Sequence, residues 1–147
     1  MEAVSGIGGL LAFVLGWFVA QTGKLLGDMI TTKKMSLRQA IECFVRSGGM
    51  PSGHTASFGG LTTFFIVKYG IFANISVLAL ATTIIVVYDA VNVRYAVGEQ
   101  GKLLNVMATE KNWKKKRIRV VEGHTIPQVI VGAIIGITIG LFCGFIL

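Results

Sequence analysis

The sequence predicts an all-α polytopic membrane protein, a bundle of about four transmembrane helices with its active-site loops on the cytoplasmic side. Three observations carry that prediction. Hydrophobic residues fill 53% of the 147 positions and charged residues only 14%, against about 25% in ordinary soluble domains. Mean hydropathy is +0.71, and the apolar residues fall into four runs, at roughly 4–22, 54–67, 71–93 and 125–147. Nineteen glycines accompany only two prolines, which suits closely packed membrane helices. The length allows one membrane-embedded domain, 1–147.

A hydrocarbon core of about 30 Å needs about 20 helical residues. The first, third and fourth runs meet that length. The first lacks a basic leader and an obvious small-residue cleavage site, which predicts an uncleaved anchor. The second is short and carries Thr55, Ser57, Thr62 and Thr63, so it suits a helix buried among other helices. The fourth carries Gly132, Gly136, Gly140 and Gly144, a smooth stripe that serves either packing within the chain or self-association. Cys43 lies in a polar connection and Cys143 near the end of the last run, so no disulfide is expected.

Charge sets the orientation. The net charge is +7, and thirteen of the fourteen bases lie in two connections, five from Lys24 to Arg46 and eight from Arg94 to Arg119. With four spans these connections share one side. The positive-inside rule makes that side cytoplasmic, with both termini outside a cell membrane. The stretch KNWKKKRIR (111–119) reads as a headgroup-facing loop. No nucleic-acid partner is expected, because no folded reading module surrounds it.

Ionisable groups at the edge of membrane spans are costly and prompt a functional reading. Lys24, Arg46, His54, Asp89, Arg94, Glu99, Glu122 and His124 all fall at the cytoplasmic ends of the runs or in the adjacent loops, and both histidines of the chain are among them. In SGGMPSGHTAS (47–57), Gly48 and Gly49 allow unusual backbone angles before Pro51. Ser52, Gly53 and His54 then fall on a helix's first turn, where free N–H groups favour an anion. The bland alternative is a capping serine and an incidental histidine. In VEGHTIPQVIVG (121–132), His124 sits at the mouth of another helix as nucleophile, base or structural group. Asp89, five residues before Arg94, either pairs with it or orients a histidine. Cations that clamp phosphate oxygens, with two imidazoles, make a phosphoryl-transfer set. No metal or cofactor is expected, since no ligand spacing, G-x-S-x-G or Walker loop occurs.

These residues resemble the divergent branch of the type 2 phosphatidic acid phosphatase superfamily, the acid phosphatase/vanadium-dependent haloperoxidase-related membrane proteins. The matching stretches are AQTGK (20–24), GGMPSGH (48–54), DAVNVRYAVGEQ (89–100) with Asn105, and EGHTIPQVIVGAIIG (122–136). The wider superfamily uses K-x6-R-P, P-S-G-H and S-R-x5-H-x3-D. The resemblance implies that His124 attacks phosphorus and forms a phosphohistidine, and that His54 protonates the leaving group. It implies phosphate contacts from Lys24, Arg46, Ser52, Gly53 and Arg94, with Glu99, Gln100, Asn105 and Glu122 in support. Two departures stand out. Arg94 lies thirty residues before His124, and Gln128 stands where the superfamily has its orienting aspartate. Asp89, then Glu122, are the substitute carboxylates expected.

The implied activity is metal-independent hydrolysis of a lipid phosphate, of phosphatidylglycerophosphate, phosphatidate or isoprenoid phosphate type, at the cytoplasmic face. The superfamily's membrane enzymes typically use six spans, so a four-span chain is expected to act as a homodimer among membrane lipids. The alternative reading is a catalytically inactive phosphatase-like scaffold or lipid-binding protein. Vanadate-dependent halide oxidation is a more distant rival.

Overall fold

The computed structural model describes residues 2–31, 35–45, 48–111, 117, 118, 120 and 123–147, and all regular structure among them is helical. The elements are α1 (Glu2–Thr31), α2 (Leu37–Val45), α3 (Gly53–Tyr69), α4 (Asn74–Tyr88), a π-helical turn (Asp89–Val93), α5 (Arg94–Glu110) and α6 (Ile126–Ile146). Among the described residues, three helices are long and apolar enough to cross a membrane: Gly6–Thr31, the continuous Asn74–Glu110, and Ile126–Ile146. The second expected run is α3, a helix of 17 residues, roughly 25 Å at 1.5 Å per residue. From Thr55 to Val67 none of its residues is exposed. It is the central helix, packed on α1, α4 and α6.

Small residues let those backbones meet. A Cβ at Gly132, Gly136 or Gly140 would come within 2.5 Å of the carbonyl oxygens of Ser52, Ala56 and Gly60. One at Gly144 would meet Val67 at 2.8 Å. The glycine stripe of α6 therefore lies along α3 within the chain, and the two helices run parallel. On the other side of α3, Gly16 sits against the Ala56 carbonyl, and a Cβ at Gly60 would lie 2.8 Å from that of Ala12. These contacts make α1 antiparallel to α3. In lipid no hydrophobic force drives helices together, so such packing and interhelical hydrogen bonds hold the bundle. Thr62 and Thr83 supply one such bond between α3 and α4, at 2.8 Å.

This topology brings the N-termini of α3 and α6, the last third of α1 and the π-turn to one end of the bundle. Ser52 N–H donates to the Gln128 carbonyl at 3.0 Å, joining the two helix starts. The polar stretch after residue 93, expected as a loop, begins instead as α5. The helix from Asn74 to Glu110 is 37 residues, roughly 55 Å, well beyond a core of about 30 Å. Its polar half therefore extends past the apolar core. Cys43 lies on α2 and not in a loop, with its Sγ donating to Asp28 Oδ2 at 3.0 Å; neither it nor Cys143 is in a disulfide, and both are buried.

Candidate active site

The PSGH stretch opens α3. Gly48 and Gly49 take φ of +92° and +78°, in the left-handed region open to glycine, as the sequence suggested. Ser52 is the N-cap: it is fully buried, and its Oγ accepts from Thr55 N–H at 3.4 Å and from Thr55 Oγ1 at 2.9 Å. Its N–H and the acceptor side of its hydroxyl are thus committed to the fold. Among the described residues, the first-turn amides of Gly53 and His54 are the ones left facing the helix mouth.

His124 arrives by a route that the sequence conceals. The returning chain runs antiparallel along α5. Asn105 donates from Nδ2 to the Ile118 carbonyl and accepts from Ile118 N–H at Oδ1, both at 2.9 Å. A Cβ at Gly101 would lie 3.5 Å from Val120. Gly123 lies directly on the backbone of Arg94 and Tyr95. The track ends at the π-turn, where the Ala90 carbonyl accepts from His124 N–H at 2.9 Å. Widened helical turns recur at functional sites because they re-aim backbone groups. Here the turn anchors His124 beside Arg94, uniting residues thirty positions apart. Asn105, expected as a supporting site residue, is the clasp of this track.

The two imidazoles meet. Their ring centroids lie 6.5 Å apart, edge to face at 63°. His54 is exposed, whereas His124 is buried at 3%. Lys24 is also buried, at 5%. The charges of Lys24 and Arg94 act on both rings. Burial pushes the His124 pKa down from its ordinary 6.5, and Lys24 and Arg94 add to that. The Gln128 side chain and the Gly49 backbone pull the other way.

Gln128, set aside in the sequence as a departure from the superfamily's aspartate, itself meets the ring. Its Oε1 accepts from Thr125 N–H at 3.1 Å and lies 3.1 Å from His124 Nδ1. A backbone N–H only donates, so this end of the amide is oxygen. In the neutral ring Nδ1 then carries the proton and Nε2 the lone pair. Thr125 and Gln128 also form a reciprocal capping box at the start of α6. That T-x-x-Q pattern, beginning one residue after His124, was the available signal.

Asp89 does not take the expected place at Nδ1. Its Oδ2 holds Arg94 Nε at 2.6 Å, an ion pair with both side chains partly exposed. Glu99 pairs with Lys102 at 2.8 Å, and Gln100 is exposed beside it on α5. Arg46 and Glu122 lie outside the described residues. Among the described residues, no three histidine, cysteine or acidic side chains gather in a way that could hold a metal ion.

The fold defines a helical membrane protein, and the site joins two imidazoles to buried and half-buried cations at paired helix starts. The chain belongs to the Divergent PAP2 family, whose model matches residues 8–139. It is also similar to the uncharacterized membrane protein YuiD of Bacillus subtilis (strain 168), at 25% identity over 152 residues, covering 92% of this chain and 93% of that protein. No solved structure matches it. The chain is thus a phosphatase-related membrane protein.

Proposed function

We propose that the protein hydrolyses a lipid phosphate monoester through a phosphohistidine, without a metal ion. One observation carries this reading: two imidazoles lie 6.5 Å apart at the joined starts of α3 and α6, with Lys24 and Arg94 acting on both. Helix N-termini and cations favour a phosphate there. Nε2 of His124 attacks phosphorus. The bond to the lipid oxygen breaks, and protonated His54 gives that oxygen its proton. Water then cleaves the phosphohistidine, with His54 as base. Charge developing on the phosphoryl oxygens is met by Lys24, Arg94 and the amides of Gly53 and His54. Arg46 joins this set by resemblance alone.

The lipid's tail lies among helices or acyl chains, and the basic connections meet the headgroup side. With the positive-inside orientation, the site faces the cytoplasm and both termini lie outside. Phosphatidylglycerophosphate or phosphatidate fits that side best. A homodimer would use a surface other than the α6 glycine stripe, which α3 already covers.

The test is phosphate release by the purified protein from a panel of lipid phosphates, with and without chelator. Release that survives chelation, and is lost in His54→Ala and His124→Ala without loss of folding, is the expected outcome. Absence of release before any mutation would favour the inactive scaffold. Loss on chelation would remove the metal-free route.

A further inference from the structure

Gln21 belongs to none of the roles above, yet it is buried at 3% in a helix apolar enough to cross a membrane. Its Nε2 donates to the Phe44 carbonyl, which fixes which end of the amide is oxygen. The other end, Oε1, is buried and meets no donor among the described residues. An unsatisfied buried acceptor costs about 1–3 kcal/mol, so its persistence asks for a partner. Its position supplies one. A Cβ at Gly53 would lie 3.6 Å from Oε1, so the oxygen borders the first turn of α3. That is one residue from His54, and Lys24 follows Gln21 by three positions on α1, on the same helix face. An amide oxygen repels a bare phosphate oxygen. It requires an O–H.

We infer that Gln21 positions the water that hydrolyses the phosphohistidine, an inference that rests on the function proposed above. In an in-line displacement the entering water takes the place of the departed lipid oxygen, remote from His124 and beside His54. His54 takes one proton of that water, and Gln21 Oε1 accepts a hydrogen bond from the other. The water oxygen bonds to phosphorus. The P–N bond breaks, and its electron pair returns to His124 Nε2. Phosphate leaves with the second proton.

The experiment follows the phosphoenzyme in full-length protein supplied with 32P-labelled lipid phosphate. Gln21→Met should form phosphoenzyme at close to the wild-type rate, then accumulate it as turnover falls by up to about 100-fold. Gln21→Glu, which keeps an acceptor oxygen but loses the donor to Phe44, should hydrolyse the phosphoenzyme faster than Gln21→Met; if the methionine variant does not fold, accumulation in Gln21→Leu decides the matter. A methionine variant that turns over normally overturns the inference. So does an equal fall in phosphoenzyme formation and hydrolysis in both variants, as a purely structural amide would give. Wild-type protein without phosphate release sinks the underlying phosphatase reading instead, and shows it before either variant is compared.

Discussion

Gln128 Oε1 stands 3.1 Å from His124 Nδ1 and an equal distance from the Thr125 N–H. One amide oxygen therefore both caps α6 and selects the tautomer of the ring. In the wider superfamily an aspartate occupies this position. An amide holds the ring but adds no negative charge to balance an imidazolium. Replacing Gln128 by Leu should lower phosphoenzyme formation by about 10- to 100-fold, because the wrong tautomer is released. It should also cost about 1 kcal/mol of stability from the lost cap. Thr125→Ala separates the effects: it loses a similar stability while largely sparing the chemistry. Rapid-quench kinetics and thermal unfolding in detergent check both.

The ring's environment sets a pH dependence. Burial, reinforced by Lys24 and Arg94, holds the His124 pKa below 6.5 in the folded chain. The neutral His124 ring is the nucleophile and protonated His54 the acid, so phosphoenzyme formation should fall as pH drops through the lowered His124 value and fall again on the alkaline side as His54 loses its proton. Stability also falls on the acid side. Below 6.5 the unfolded chain takes up a proton that the folded ring resists, so this site destabilises the fold progressively from there down to the folded pKa. Gln128→Glu places a carboxylate at Nδ1 and should move the acid limb to higher pH. A pH–rate profile of phosphoenzyme formation reads the shift.

The α3–α6 seam predicts unequal costs for equal changes. A Cβ at Gly136 would lie 2.5 Å from the Ala56 carbonyl and 2.9 Å from Gly60 N, both backbone atoms that cannot turn aside. Gly136→Ala should destabilise the protein by about 1–3 kcal/mol. Gly27 has nothing within 4 Å of its added Cβ, so Gly27→Ala should be neutral or stabilising by up to about 1 kcal/mol. Thermal unfolding of the two variants in one detergent compares them directly.

Asn105 predicts an effect at a distance. It holds the Ile118 backbone by two hydrogen bonds of 2.9 Å, the first clasp of the track that ends at His124. Asn105→Ala should cost roughly 1–3 kcal/mol and lower the rate of phosphoenzyme formation, with little change in the rate of its hydrolysis. Single-turnover kinetics with labelled substrate resolve the two steps.

The sequence conveyed some of this plainly. The apolar runs marked the helices, and hydroxyl-bearing residues marked α3 as buried. Gly48 and Gly49 marked the turn, and the polar ends of the runs gathered Lys24, His54, Arg94 and His124. What it concealed has physical causes. Arg94–Glu110 is a polar helix beyond the apolar core, so hydropathy gives it no signal. Its evidence was a row of small or polar residues, Ala90, Gly101 and Asn105, which meet His124, Val120 and Ile118. The π-turn leaves no mark in composition. Asp89 seemed the natural orienting group because carboxylates balance imidazolium. The fold commits it to Arg94 at 2.6 Å, and the nearer capping glutamine takes the ring.

The most direct test of the central claim is to trap the labelled intermediate from purified protein and a lipid phosphate, then map the phosphoryl group by peptide mass spectrometry. The account predicts an acid-labile, base-stable phosphoryl group on His124 in the wild-type protein, and none in His124→Ala. Turnover of the lipid with no phosphoryl group on His124, or with the group on another residue, would contradict it.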